Sequence, residues 1–478
     1  MTDAPSDASH HHPQLPMPKL MAFATPGLPI GALAVAITVY LPRYYATHFG
    51  LGLAAVGAAF MIVRLVDMLF DPMIGLLMDR SRTRLGRYRL WLAGGAPILM
   101  LAVFMVFTPP GAVTYAYLLI WLFIYYVGAS IITLAHVSWA SVIASKYHER
   151  SRVFGVIQVI SIIGASVLLL VPSITRSHDF ASDVRSMGWF IFGVTPVGVV
   201  LAILATPEKQ VEDAHGEKFG LRDYLEMIFR PDMRRIIVAD FCLALGPGWM
   251  AALYLYYFHD ARGFTSDQSR FLLLIYIAAG VVGAGVLSWL ATRFGKHRTL
   301  MGAAAGYSIG LISLTMLPQA AFLPAAFFMF LLGFLAAGFP LLDRAMVADV
   351  GDAVRLEQGK HRVGVLFAMI TSSQKVAVAL SIGLTFTVLA AIGYNPKEGA
   401  VNSPATIHGL ELTYLLGPIF FVMVGAACFI GYKLDHKRHA EIRAQLDVRD
   451  ALAAAALATP GAAGGEVLPL AAIEPEPG

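Results

Sequence analysis

Runs of roughly 18–25 apolar residues recur about twelve times along this 478-residue chain. One such run fits a single helical crossing of a bilayer's hydrocarbon core. Backbone polar groups in lipid must find partners within their own segment, so a chain built this way is confined to a bundle of spanning helices. A transmembrane barrel needs short alternating segments instead, and none is present. Composition agrees. The chain is 57% hydrophobic and 14% charged, where a soluble domain carries about 25% charged residues.

The expected spans lie near residues 20–45, 53–79, 88–108, 113–144, 151–172 and 187–205, then 233–259, 268–292, 298–317, 322–350, 362–392 and 408–434. This reads as an N-terminal tail (1–18), a six-helix bundle (19–205), a polar linker (206–232), a second six-helix bundle (233–435) and a tail (436–478) expected to be mostly disordered. The first eighteen residues do not read as a cleavable signal, and the His10–His12 triplet in them reads as disordered sequence. Lys and Arg concentrate in alternate loops. Arg80, Arg82, Arg84, Arg87 and Arg89 follow span two, Lys146, Arg150 and Arg152 follow span four, and Arg293, Lys296 and Arg298 follow span eight. The positive-inside rule then puts these loops, and both termini, in the cytoplasm of a bacterial-type inner membrane. Basic loops at equivalent places after spans two and eight point to an internal repeat. Such repeats place a substrate site between the halves near the midplane. Cys242 and Cys428 both fall in apolar spans, where neither a disulfide nor a metal site is expected.

Within span two, Arg64, Asp67 and Asp71 stand at i, i+3 and i+7 and so share one helix face. A charged side chain at a bilayer centre costs about 2.5–3.5 kcal/mol on insertion scales. Three on one helix are tolerable only facing a bundle interior or a wet cavity, which suggests an ion or substrate pathway. Two acids against one Arg leave a carboxylate in need of a partner. Lys375 in span eleven, next to Gln374, is the natural candidate. A carboxylate held or released by that lysine is the two-state element that coupling requires. In span ten, Asp349 and Asp352, with Arg355 and Arg362, suggest a cytoplasmic gate network. His136 and Trp139, on one face of span four, Gln158 in span five and Gln374 in span eleven are candidates for lining a substrate cavity, and Asp240 reads as a cap or a snorkelling residue. No P-loop, H-E-x-x-H, C-x-x-C or G-x-S-x-G is present. No ATP-driven pump or enzyme is indicated, and no cofactor beyond a coupling ion.

The run Arg64-x-x-Asp67-x-x-x-Asp71-Pro72-x-x-Gly75, followed by Arg82-Thr-Arg84-Leu-Gly86-Arg87-Tyr-Arg-Leu-Trp91, resembles the span-two signature of the melibiose permease family. These are the glycoside–pentoside–hexuronide:cation symporters of the major facilitator superfamily. The resemblance extends to Met346-Val-Ala-Asp349-Val-Gly-Asp352, to Lys375 and to Gly393-Tyr394, and covers roughly residues 19 to 440. It implies an all-α, twelve-helix major facilitator fold working by alternating access. It also implies that Asp67 and Asp71 are cation-site acids with Lys375 beside them, and that Trp139 is an aromatic of the sugar site.

Departures from the family pattern refine this. Apolar sequence around Pro29-Ile30-Gly31, Ala135 and Gln158 replaces polar groups that hold sugar hydroxyls, which weakens discrimination for a galactoside. Phe70 and Ile132 replace neutral oxygen donors of the cation site, although Thr133 is adjacent. A proton needs only one suitable carboxylate, so proton coupling is favoured over sodium. The expectation is a monomeric symporter of a glycoside, sugar or related solute, in contact with lipid and with no nucleic-acid partner. The alternative is a transporter of a lysolipid or another amphipathic substrate, since the family more distantly resembles the animal sodium-dependent lysophospholipid transporters.

Overall fold

The computed structural model describes residues 15–81, 83, 86–144, 147–175, 179–206, 208, 227–359 and 363–458. The His10–His12 triplet, Arg82, Arg84, most of the linker, Arg362 and the last twenty residues lie outside that set. Every regular element among the described residues is helical. In chain order they are α1 (Met17–Thr47), α2 (Leu53–Arg80), α3 (Tyr88–Phe107), α4 (Tyr115–Ile143), α5 (Tyr147–Thr175) and α6 (Phe180–Ala205). There follow α7 (Pro231–Ala261), α8 (Ser266–Phe294), α9 (Lys296–Thr315), α10 (Phe322–Gln358), α11 (Val363–Ala391), α12 (Pro404–Ala427) and α13 (His436–Ala458). Eleven of the first twelve are long and apolar enough to cross a membrane. The other, α9, opens on Lys296, His297 and Arg298, which lowers its hydropathy, and it occupies the place of the expected ninth span.

Local chemistry explains where the helices differ from expectation. α6 begins at Phe180 rather than near 187 because Asp179 caps it, accepting the Ser182 amide at 2.7 Å. α1 is interrupted at Pro26, and α10 at Ala337. The start of α3 is closed by Glu208, whose carboxylate accepts the backbone N–H groups of Arg87, Tyr88 and Arg89 at 2.6, 2.9 and 3.2 Å. An anion there satisfies the amides a helix leaves open at its first turn. The chain beyond Asp435 departs most from its reading as disorder, since His436–Ala458 forms α13. This helix buries Ile442 and Leu446 and packs along α10.

α1–α6 form one bundle and α7–α12 the other. Glycines allow close backbone approach: a Cβ at Gly283 of α8 would fall on the Phe334 carbonyl, and one at Gly333 of α10 on the Tyr276 carbonyl. The repeat suggested by the loops has a structural counterpart. α1 and α7 each run into a π-helical segment, Ala36–Tyr40 and Tyr256–Ala261.

The bundles are joined at the end opposite the basic loops. Arg43, just past the first π segment, pairs with Asp260 of the second at 2.9 Å, and Tyr394 donates to the same carboxylate at 2.5 Å. Asp183 of α6 pairs with Arg270 of α8. α2 packs against α11 on this side, where a Cβ at Gly57 would lie 2.7 Å from Phe386 and one at Gly383 2.7 Å from Met61.

Candidate functional site

The α2–α11 seam positions the charged groups. Arg64, Asp67 and Asp71 lie on one face of α2, as their spacing requires, and that face meets α4 and α11. Asp67 is fully buried. Its Oδ2 accepts from Arg64 Nη1 at 2.9 Å and lies 3.9 Å from Lys375 Nζ, and its Oδ1 accepts from Ser130 Oγ of α4 at 3.0 Å. Lys375 forms a direct ion pair with Asp71, whose Oδ1 is buried without a hydrogen-bond partner. The result is a row of alternating charge, Arg64, Asp67, Lys375, Asp71, with no net charge. The carboxylate left over within α2 is matched by a lysine from the other bundle. Arg64 also lies over the Tyr126 ring, 4.7 Å from its centroid, so the face of its guanidinium is held by a cation–π contact too. Pro72 has no amide to offer the Met68 carbonyl one turn back, which frees a backbone oxygen beside the two acids.

Of the expected cation-site residues, Asp67 and Asp71 are brought together and Arg64 and Lys375 join them. The hydroxyl on Asp67 comes from Ser130 rather than Thr133. The two stand one turn apart on α4, and the earlier position faces α2. That spacing was a usable signal, but nothing local ranked Ser130 above Thr133. Phe70 turns to Phe123, with ring centroids 5.4 Å apart.

His136 and Trp139 do not line an open cavity. Both are fully buried. His136 Nε2 bonds the Phe23 carbonyl at 2.9 Å, and Trp139 packs edge-on against the Phe23 ring at 5.2 Å with the Arg89 guanidinium over its own ring. Their helical-turn spacing put them on one face, as read, but that face packs on α1. Gln158 is exposed on α5. Gln374 lines a cavity of about 360 Å³ bounded by α7, α8, α10 and α11. There it donates to Asp240 at 2.8 Å and meets Arg344 at 3.4 Å. Asp240 is therefore no cap or snorkelling residue: it is buried and bonded within the bundle.

Asp349 and Asp352 face α9 and α13. Asp349 takes both oxygens to Lys296 Nζ, at 2.6 and 2.7 Å. His439 reaches Asp352 at 3.1 Å and Asp349 at 3.3 Å, and Arg355 pairs with Asp450 at 2.7 Å. These residues tie the second bundle to the C-terminal helix, and Arg362, the fourth expected member, lies outside the described residues.

Two helical bundles meeting at a largely buried, charge-balanced row contributed by both define a secondary membrane transporter. The family model described as MFS/sugar transport protein matches residues 22–436. The chain belongs to this family, within its glycoside–pentoside–hexuronide:cation symporter group, and these are transporters and not enzymes. It is 25% identical to an uncharacterized symporter, YnaJ, of Bacillus subtilis over 91% of this chain and 96% of that one. It is 24% identical to the isoprimeverose transporter of Lactiplantibacillus pentosus over 84% of this chain and 85% of that one. Among solved structures, the nucleoside transporter NupG superposes with a TM-score of 0.64 at 12% identity, covering 87% of this chain and 99% of that one. That likeness establishes the fold.

Proposed function

We propose that this protein is a cation-coupled symporter of a sugar, glycoside or related solute, working by alternating access. Asp67 and Asp71 bind the coupling ion and Lys375 answers to their charge. One observation carries the reading: Lys375 of one bundle sits directly on Asp71 of the other. A cation arriving at Asp71 competes with the lysine for the same carboxylate. Ion binding therefore loosens the only charge that α11 contributes to this row, and ion loss restores it. A ligand shifts such an equilibrium by its differential affinity for the two states, and here that difference is built into one ion pair.

The proton is favoured over sodium. The groups already on the acids are two cations and one hydroxyl, and the Met68 carbonyl lacks its helical partner because Pro72 has no amide. A proton neutralises Asp71 without needing a shell of oxygens. The named activities of the relatives, among them isoprimeverose transport, support a sugar-class solute. By the positive-inside rule the basic loops face the cytoplasm of an inner membrane. The end joined by Arg43, Asp260, Asp183 and Arg270 is then the external one, and those pairs must part for the outward-open state.

The test is uptake into proteoliposomes under an imposed pH gradient or an imposed sodium gradient, preceded by a thermal-shift screen of glycosides, uronides and lysolipids. Glycoside uptake driven by the pH gradient and abolished in Asp71→Asn is the expected result. Stabilisation by lysolipids alone overturns the sugar reading, and uptake driven by sodium alone overturns the proton.

A further inference from the structure

A second pair of acids lies inside the C-terminal bundle, away from the row on α2. Asp240 of α7 and Asp343 of α10 are 3% and 1% exposed, and their carboxyls lie within hydrogen-bonding reach of each other. Asp240 Oδ1 accepts from Gln374 Nε2 at 2.8 Å. Among the described residues Asp240 Oδ2 and both oxygens of Asp343 have no hydrogen-bond partner, although the Ser373 hydroxyl, bonded to the Ile237 carbonyl at 3.3 Å, stands beside Asp240. Two ionised carboxylates are acceptors only and cannot bond one another. Like charges this close, shut away from water, do not both persist.

The groups facing the pair do not supply the missing charge. Arg344, the one cation beside the pair among the described residues, is exposed and turned to Gln374. Cys428 at the end of α12 and Tyr432 just beyond it lie near enough to feel the Asp343 charge, and Tyr276 of α8 lines the same cavity as Asp240. All three are neutral in the ordinary pH range. The cavity of about 360 Å³ reaches Asp240 and Gln374, which gives a proton a route to the pair.

We propose that Asp240 and Asp343 share one proton, forming a proton-binding site in the second bundle separate from Asp67 and Asp71. The protonated carboxyl donates its O–H to its ionised partner, and Gln374 donates to the same partner, so the shared charge is held by two bonds. Loss of the proton leaves two facing anions and drives them apart. The site does not depend on the solute being a sugar.

The experiment is pH-difference infrared spectroscopy of the protonated-carboxyl stretch on the full-length protein in detergent, in an Asp67→Asn/Asp71→Asn background that silences the first row. A titrating carboxyl band is expected in that background and is expected to vanish on adding Asp343→Asn, whose amide donates to Asp240 in the proton's place. Should that variant not fold, Asp240→Asn is the second, and the band should shift or vanish there. Absence of a titrating band in the background protein overturns the proposal, as does a band unchanged by these substitutions. No arm uses a solute, so failure here counts against the acid pair and leaves the symporter reading to its own test.

Discussion

Lys375→Ala and Asp71→Asn each break the same ion pair, yet the geometry makes them unequal. Removing the Asp71 charge leaves Lys375 3.9 Å from Asp67. At an effective dielectric of about 20 that contact is worth about 4 kcal/mol, so the lysine keeps most of its compensation, shared with Arg64. Removing the lysine is different. Arg64 is already committed to Asp67 at 2.9 Å, and Asp71 then has no cation while one of its oxygens is buried without a donor. Breaking a buried pair this way costs about 3–5 kcal/mol. Lys375→Ala should therefore destabilise the protein by about 3 kcal/mol or more, Asp71→Asn by about 1 kcal/mol, and the double variant should recover most of the loss. Acid should rescue Lys375→Ala, because a stranded carboxylate escapes the cost of burial by taking a proton. Thermal unfolding of detergent-purified protein across a pH series measures all of this. Equal losses in the two single variants, or a double variant no better than Lys375→Ala, would refute the charge-row argument.

Three other outcomes follow from named contacts. Ser130→Ala removes a hydrogen bond to a buried carboxylate, worth about 1.5–3 kcal/mol, and should weaken coupling-ion affinity in uptake assays while Thr133→Ala leaves it unchanged. Trp139→Ala should lower stability by about 3–5 kcal/mol, as a buried aromatic does, and leave the solute preference of the surviving protein as it was in competition assays. Asp260→Asn loosens the Arg43 and Tyr394 contacts, so cysteines introduced along the α2–α11 seam near Gly57 should label faster from the external side. An unchanged labelling rate counts against the pair as a lock.

Much of this architecture was legible before the structure, for physical reasons. Lipid forces a backbone into helices, so apolar run length gave the spans. A charge in such a run must face inward, so Arg64, Asp67, Asp71 and Lys375 announced themselves by their cost. What stayed hidden depended on partners far away in sequence. His136 and Trp139 are polar or aromatic and share a face, which marks a cavity and a packed interface equally well; Phe23 of α1 decides between them. Ser130 and Thr133 differ only in which rotation of α4 meets α2. The C-terminal tail, rich in alanine and charge, offered only a short apolar stripe, and its order comes from Ile442 and Leu446 buried against the second bundle together with His439, Arg443 and Asp450 meeting acids and arginines of α10.

Gln374 and Lys375 show how one helix can address both halves of the molecule. Successive side chains on a helix point about 100° apart, so these neighbours cannot serve the same site. Lys375 reaches across to Asp71 in the first bundle, while Gln374 turns inward to Asp240 in the second. A rotation of α11 about its own axis that releases the lysine also strains the amide's bond, since the two side chains share one helical backbone. The charge state of the α2 row and the hydrogen bonding of the inner cavity are thus tied at one point of the chain. That tie needs no contact between the sites, and it would be lost if a single residue were inserted between 374 and 375, although both side chains would still be present.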